Sequence, residues 1–264
     1  MELEMFTCDA FTTQRFKGNS AAVVPLADWL SDEIMQNIAA ENNLSETAFV
    51  KPTGANQYEI RWFSPVAEVD FCGHATLATS YVLYQFFALN GKIEFETRHV
   101  GSLEVEKDLS GRILMTFPNR KPFESKVPPE VMEALSIQPS QVLKSPQAYF
   151  AFYDSEQDII EVQVRREYLE KLAPYDLVIS AKSQQYDFIS RYFWPDVGDC
   201  EDPVTGSIHA GLAPYWAEQL GKSNLVAYQA SKRGGTLYCH VQDESVIAVS
   251  YTHLTLPTKW WVVL

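Results

Sequence analysis

Basic residues are scarce in this chain. Its 264 residues include 21 Lys and Arg against 34 Asp and Glu, so the formal net charge is −13. A surface of that charge repels phosphate groups and anionic lipids, which predicts that neither nucleic acid nor a membrane is a partner. The first residues also lack the basic and then apolar pattern of a secretory leader, so we expect a cytoplasmic protein.

Cysteines are few, and none is paired in a CxxC motif. This argues against a zinc knuckle and against a disulfide framework. The five histidines form no close pair at metal-ligand spacing, so we predict that the protein holds no metal. The cysteines are Cys8, Cys72, Cys200 and Cys239.

The common phosphate-binding and hydrolase motifs are also missing. The chain has neither GxGxxG nor GxxxxGK[ST], so nothing in it indicates a dinucleotide or a P-loop nucleotide. The residues around Ser207 lack the second glycine of GxSxG, which argues against a hydrolase of the nucleophile-elbow type.

Two helices poor in charge stand out among the elements that are present. Residues 71–91 carry no formal charge, but only 75–89 are predicted as helix, which is too short to cross a bilayer and indicates a buried central helix. A second such helix is predicted at 208–220. The turns at Gly73 and Gly206 open these helices and lie about half the chain length apart. This spacing predicts two similar halves, residues 1–120 and 121–249, although a coincidence of two helices that begin at glycine would give the same pattern.

These two turns are also candidates for binding an anion. The N–H groups of a first helical turn have no partner within the helix, and they lie at the positive end of its dipole. They would hold a carboxylate or a developing oxyanion. Alternatively, each glycine only permits a tight turn. His74 beside the first turn, and Asp202 and Ser207 beside the second, favour the functional interpretation.

Glu46 is the candidate for acid–base chemistry. If residues 44–50 form a strand, Glu46 shares one face with Leu44, Ala48 and Val50. A carboxyl on an apolar face is desolvated, which suits it to proton transfer near neutral pH. If that face is wet instead, Glu46 is a surface charge.

Six sequence blocks occur in an order that resembles the PhzF-like family of phenazine biosynthesis proteins, over about residues 4 to 249. The blocks are Asp9-Ala10-Phe11, Gly18-Asn19-Ser20-Ala21-Ala22-Val23, Asn43-Leu44-Ser45-Glu46-Thr47-Ala48-Phe49, Cys72-Gly73-His74-Ala75-Thr76, Glu201-Asp202-Pro203-Val204-Thr205-Gly206-Ser207 and Gln229-Ala230-Ser231-Lys232-Arg233-Gly234-Gly235.

The resemblance implies an α+β fold of the diaminopimelate-epimerase type. In that fold, two pseudo-symmetric halves each wrap a mixed sheet around a central helix, and the active site lies in the cleft between them. It also implies a homodimeric isomerase that acts on a small carboxylate without cofactor or metal. The implied catalytic residues are Glu46 as the acid–base group, with His74, Asp202 and Ser207. The implied substrate-binding residues are Gly73, Thr205 and Gly206.

Two alternatives remain open at this stage. Racemases and epimerases of the same fold use two thiols, and Cys72 stands where the first would lie. The matching position is Thr205, whose hydroxyl is not a base near neutral pH, so two-thiol chemistry is disfavoured and we expect Cys72 to be a small buried residue. The other alternative is a carboxylate-binding protein that has lost turnover.

Residues 250–264 do not resemble the end of the family. We predict an atypical tail that replaces or removes the last strand of the second half.

Overall fold

The structure is a computed structural model that describes residues 2–195 and 200–263, without the side chains of 255–263. Its contacts divide the chain into two compact units. The first unit is Met1–Thr116 with Val249–Leu264, and the second is Phe117–Ala248. No helix in the described ranges is long and apolar enough to cross a bilayer.

The first unit contains two helices among its strands. In chain order its elements are β1 (Glu2–Ala10), β2 (Asn19–Pro25), α1 (Asp32–Asn42), β3 (Glu46–Gly54), β4 (Gln57–Phe63), β5 (Glu68–Val69), α2 (Gly73–Phe86), β6 (Ile93–Glu96), β7 (Ser102–Lys107) and β8 (Ile113–Pro118), which ends at the unit boundary.

The second unit has more helical segments, most of them short. Its elements are α3 (Pro129–Ala134), β9 (Gln141–Lys144), β10 (Ala148–Tyr153), α4 (Glu156–Glu161), α5 (Arg166–Leu169), a 3₁₀ turn (Glu170–Leu172), β11 (Asp176–Lys182), β12 (Phe188–Phe193), β13 (Glu201–Asp202), α6 (His209–Leu220), β14 (Asn224–Gln229), β15 (Gly235–Val241) and β16 (Ser245–Ser250), whose last two residues belong to the first unit.

The strand pairing inside the first unit is repeated inside the second. The antiparallel pair β1–β2 corresponds to β9–β10, and the parallel pair β2–β3 corresponds to β10–β11. Strand β4 then pairs antiparallel with β3 and β5 and parallel with β6, as β12 does with β11, β13 and β14. Each unit therefore has a mixed sheet of the same connectivity.

Each unit also has one charge-poor helix that is buried on nearly all sides. Helix α2 contacts β1, β2 and β3, and α6 contacts β14 and β15. The two helices begin and end close to the ranges predicted from the sequence, 75–89 and 208–220. The predicted fold class, α+β with a mixed sheet around a central helix, is confirmed.

Each unit has an Arg–Glu ion pair between corresponding strands, and the arginine side chain is 3% exposed in the first unit and 16% exposed in the second. In the first, Nε and one Nη atom of Arg61 each lie 2.7 Å from an oxygen of Glu68. In the second, the same two donors of Arg191 lie 2.7 and 2.9 Å from the oxygens of Glu201. Such two-point contacts are the strong form of an ion pair, and here each joins the strand pair β4–β5 or β12–β13.

Residues 252–263, which belong to the tail predicted to be atypical, form a strand of the first unit and not of the second half. Strand β17 (Thr252–Val263) pairs antiparallel with β1, from Ala10 opposite Thr252 to Glu2 opposite Val263. A bulge between Phe6 and Cys8 interrupts the register. The first unit thus contains both the first and the last strand of the described chain.

Replacing Gly18 by Ala is expected to lower the free energy of unfolding by about 3 kcal/mol, because it combines two penalties. The φ angle of Gly18 is +72°, and a Cβ there would lie 2.1 Å from the backbone oxygen of Ala10. Gly101 is the matched control, since its φ is +78° and no atom lies within 4 Å of its Cβ position. Its change to Ala should cost only the backbone strain, about 1 kcal/mol. Equal losses in urea unfolding would contradict this account.

Candidate functional site

Glu46 is the first residue of β3, at a position where the strand is buried on both faces. Its backbone lies opposite Ala21 of the parallel strand β2, and residues 46–50 are all buried. The Glu46 side chain is 8% exposed. The alternative in which Glu46 is a surface charge is therefore wrong.

His74 is the partner of this carboxylate. It is the second residue of α2, and its Nε2 lies 3.0 Å from Oε2 of Glu46. The histidine is itself 6% exposed. The same Oε2 atom is buried and accepts no hydrogen bond of good angular geometry. The two residues thus form a close ion pair whose carboxylate oxygen still has hydrogen-bonding capacity.

The other ring nitrogen of His74 has two neighbours. Its Nδ1 lies 3.3 Å from Nδ2 of Asn19 and 3.5 Å from Sγ of Cys72. A bare Nδ1 can accept a hydrogen bond from the amide, whereas a protonated Nδ1 can donate to the sulfur. His74 can therefore gain or lose a proton at Nδ1 while Nε2 stays against Glu46.

The surroundings of His74 favour its charged form. Burial opposes the charge, but the Cys72 sulfur and the Glu46 carboxylate outweigh it and hold the pKa of His74 well above 6.5. Burial, and then the carboxylate of Glu46, raises the pKa of the Cys72 thiol to about 11. Since the thiol is neutral at pH 7, Glu46 is the anion that supports the imidazolium there.

Glu46, Cys72 and His74 also lie close enough to hold one metal ion. Their possible ligand atoms, a carboxylate oxygen, a sulfur and a ring nitrogen, all lie within 4.8 Å of one another. Metal binding would require a thiolate and a neutral imidazole. The raised pKa values of Cys72 and His74 favour the opposite protonation states, so the cluster is better suited to proton transfer. The absence of a metal stays a prediction.

Asp202 and Thr205 lie together in the second unit, Asp202 at the end of β13 and Thr205 in the turn that follows. The hydroxyl of Thr205 donates to a carboxylate oxygen of Asp202. Gln229, at the end of β14, fixes this turn: its side-chain amide donates to the backbone oxygen of Asp202 at 2.8 Å and accepts from the N–H of Thr205 at 2.9 Å. Gln229 is fully buried.

Ser207 lies in the turn just before α6. The N–H groups of His209 and Ala210 bond back to the oxygens of Gly206 and Ser207, so the helix begins with a tight turn. The hydroxyl oxygen of Ser207 accepts a hydrogen bond from Nε2 of Gln147 at 3.0 Å. Ser207 is half-buried.

The two predicted glycines lie at or shortly before the starts of the two buried helices. Gly73 is the first residue of α2, and the residue before it, Cys72, makes no side-chain capping hydrogen bond. The N–H groups of this first turn lie at the positive end of the helix dipole, and that of Ala75 interacts with the Cys72 sulfur. Gly206 is buried immediately before Ser207.

Of the predicted site residues, Glu46, Gly73 and His74 belong to the first unit, and Asp202, Thr205, Gly206 and Ser207 belong to the second. Sequence reasoning missed the supporting polar residues Asn19, Gln147 and Gln229. Asn19 and Gln229 stand in two of the recognised blocks, where a buried uncharged polar residue beside a site residue was a usable signal. Gln147 stands in no block.

The chain matches the family described as phenazine biosynthesis-like protein over residues 8–252, a range that ends at the start of β17. An uncharacterized isomerase of Pseudomonas aeruginosa is 45% identical over 248 residues, which cover 94% of each chain. The crystal structure of a phenazine biosynthesis PhzC/PhzF protein from Clostridium difficile is 40% identical, with a TM-score of 0.92 over 99% of this chain and 100% of that one.

A similar fold is also found in a protein of much lower sequence identity. A hydroxyproline epimerase from Agrobacterium vitis has a TM-score of 0.62 at 9% identity, over 99% of this chain and 92% of that one, and shows the fold alone. The predicted epimerase-type fold and the predicted isomerase class are confirmed at the level of the family. The chain belongs to the PhzF-type family of phenazine biosynthesis-like proteins.

Proposed function

We propose that this protein is a cofactor-independent isomerase that moves a proton between two carbons of a small carboxylate. The observation that carries the proposal is the buried pair of Glu46 and His74, in which Oε2 of Glu46 accepts no hydrogen bond of good geometry. An oxygen of this kind can accept a proton from carbon. The membership in a family whose relatives are named isomerases supports the reaction class.

The proposed reaction needs no oxidant or reductant. Glu46 takes a proton from a substrate carbon next to a conjugated or carbonyl system, and the electron pair of the broken C–H bond is delocalised into that system. Glu46 then returns the proton to another carbon, where the pair forms the new C–H bond. The His74 imidazolium stabilises the carboxylate form of Glu46 before and after the transfer.

The second unit supplies the proposed substrate-binding groups. Ser207 and the turn at Gly206 bind the substrate carboxylate, since N–H and O–H donors suit an anion. Asp202 orients the substrate and shares in proton transfer, and Thr205 is held beside it by Gln229.

The experiment that tests the proposal is a screen of cyclic and amino-acid carboxylates by proton NMR in deuterated water. A substrate is recognised by the loss of its C–H signals at a rate proportional to protein concentration. We expect exchange for acids with a double bond or carbonyl next to the exchanging carbon. A protein that binds such acids with no exchange at any carbon is a carboxylate-binding protein without turnover, which would overturn the proposal.

The position of Cys72 keeps two-thiol racemisation as the second candidate. Cys72 is buried and its pKa is raised to about 11, so it holds its proton near neutral pH. We therefore expect Cys72→Ala to retain the exchange rate within about threefold, whereas a two-thiol racemase should lose at least about 100-fold. Initial exchange rates of the two proteins, at matched folded fraction, decide between the candidates.

The assembly and location of the protein are also proposals. The resemblance to the family implies a homodimer, and the four free cysteines favour the reducing cytoplasm. Sedimentation velocity at several protein concentrations tests the first, since a homodimer sediments with twice the chain mass of 29.9 kDa.

A further inference from the structure

Asp176 stands in the second unit where Glu46 stands in the first. Each is the first residue of a strand that runs parallel to its neighbour, with Glu46 opposite Ala21 and Asp176 opposite Ala148. The N–H of Asp176 donates to the backbone oxygen of Gln147 at 3.2 Å, which holds Asp176 beside the residue that contacts Ser207.

A chain of side-chain hydrogen bonds leads from Asp176 to Ser207. The hydroxyl of Tyr192 donates to Oδ2 of Asp176. The oxygen of Tyr192 accepts from Nε2 of Gln147 at 3.1 Å, and the same nitrogen donates to the hydroxyl of Ser207 at 3.0 Å. Tyr192 is 4% exposed, so water does not compete for its hydroxyl.

The direction of these bonds follows from the carboxylate at one end. An ionised carboxylate only accepts, so the Tyr192 proton must point to Asp176. Burial, and then the charge of Asp176, raises the pKa of Tyr192 well above 10, so the phenol keeps that proton. The oxygen of Tyr192 can then only accept, which turns the NH₂ group of Gln147, rather than its oxygen, towards both Tyr192 and Ser207.

The hydrogen bond from Gln147 determines the direction in which the Ser207 hydroxyl can donate its proton. Because Ser207 accepts from the amide, its own proton points away from Gln147. Among the residues that the structure describes, the Ser207 hydroxyl has no acceptor, and the residue is half-buried rather than enclosed. Its O–H is therefore oriented to donate to an anion.

We propose that Asp176 is a positioning residue that acts through Tyr192 and Gln147 to keep Ser207 a hydrogen-bond donor to the substrate carboxylate. This inference deepens the proposed function and rests on its assignment of Ser207 to carboxylate binding. Without Asp176, the Tyr192 proton can turn towards Gln147, the amide can reverse, and Ser207 can give its proton to the amide oxygen instead of to the substrate.

The test compares the affinities for anthranilate and for its uncharged amide, anthranilamide, by isothermal titration calorimetry. We expect the unmodified protein to prefer the acid. Asp176→Asn should weaken binding of the acid about 5-fold, the equivalent of one ordinary hydrogen bond, with little change for the amide. Simple electrostatics predicts the opposite sign, since this variant removes a negative charge near a bound anion. Binding of anthranilate that is unchanged or tighter in Asp176→Asn would overturn the proposal.

Tyr192→Phe gives a second route to the same result, because it breaks the chain without changing any charge. Its matched control is Tyr153→Phe, which removes another buried tyrosine hydroxyl of the same unit, one that donates to the backbone oxygen of Ile137. We expect the acid preference to fall in Tyr192→Phe and to persist in Tyr153→Phe. Equal behaviour of the two variants would contradict the assignment.

Two further measurements separate this inference from the proposed function. In a Ser207→Ala background, Asp176→Asn should weaken acid binding no further, because the effect passes through Ser207. Glu46→Gln should keep the acid preference while it loses solvent exchange. A protein that prefers the acid yet never exchanges a carbon-bound proton would refute the isomerase proposal alone. A protein that binds the acid no more tightly than the amide would refute the role of Asp176.

Discussion

Glu46→Gln is expected to lower the rate of solvent exchange at substrate carbon by at least about 1,000-fold, within the range found for loss of a general acid–base residue. The variant is nearly the same size, but its amide cannot take a proton from carbon. It also removes the anion that faces Nε2 of His74 at 3.0 Å, so the pKa of His74 should fall. Proton NMR in deuterated water measures the first effect, and titration of the His74 ring signals measures the second.

The matched control is Glu104→Gln, which changes an exposed carboxylate of the same unit that pairs with Lys92 at 2.7 Å. We expect full exchange in this variant. A Glu46→Gln protein that is folded by circular dichroism and still exchanges at the original rate would refute the proposed mechanism.

A large effect on stability is expected at the ion pair of Arg61 and Glu68 in the first unit. Arg61 has a side chain only 3% exposed, and Glu68 is its two-point partner. Glu68→Ala leaves the guanidinium buried with Asp32 as its remaining carboxylate neighbour, at 2.8 Å. Because an undercompensated buried charge is costly, we expect a loss of about 3 kcal/mol in the free energy of unfolding. Urea unfolding at pH 7 measures it.

Asp32→Ala is the control for this prediction, because it removes the other carboxylate from the same arginine. Asp32 is 68% exposed, so water can replace much of what it contributes. We expect a much smaller loss than for Glu68→Ala. Equal losses would show that burial of the partner does not decide the strength of the pair.

The same pair gives a pH dependence of known sign. Hydrogen bonds from Arg61 hold the pKa of Glu68 below its ordinary value of 4.5. A carboxyl with a lowered pKa stabilises the folded state above its unfolded pKa, and this contribution is lost as the pH falls through the lowered value. The unmodified protein should therefore lose more stability than Glu68→Ala on acidification from pH 6 to pH 3.

The sequence predicts best what depends on neighbouring residues. Ser31 is the N-cap of α1 and accepts from the N–H of Ile34, as the pattern of Ser31 followed by two acids indicates. The two buried helices follow from runs without charge. These signals are local, so a single sequence carries them.

The burial of Glu46 could not be decided in the same way. Polar and apolar residues alternate along a strand only when one of its faces is exposed to solvent. Residues 46–50 of β3 are buried on both faces, so the pattern could not show whether Glu46 is buried. The side chains of Gln147, Asp176 and Tyr192 were missed for another reason. Gln147 lies just before β10, Asp176 begins β11, and Tyr192 lies near the end of β12. Only the register of these three strands brings the side chains together.

The pairing of β1 with β17 affects the order in which the protein can be completed during synthesis. Residues 117–248 form a continuous stretch, so the second unit can fold as soon as it has left the ribosome. The first unit has to wait, with one edge of β1 unpaired, until residues 252–263 have been made. That exposed edge is a site for pairing with other chains in the interval, so slow translation of the last segment should favour aggregation of nascent protein.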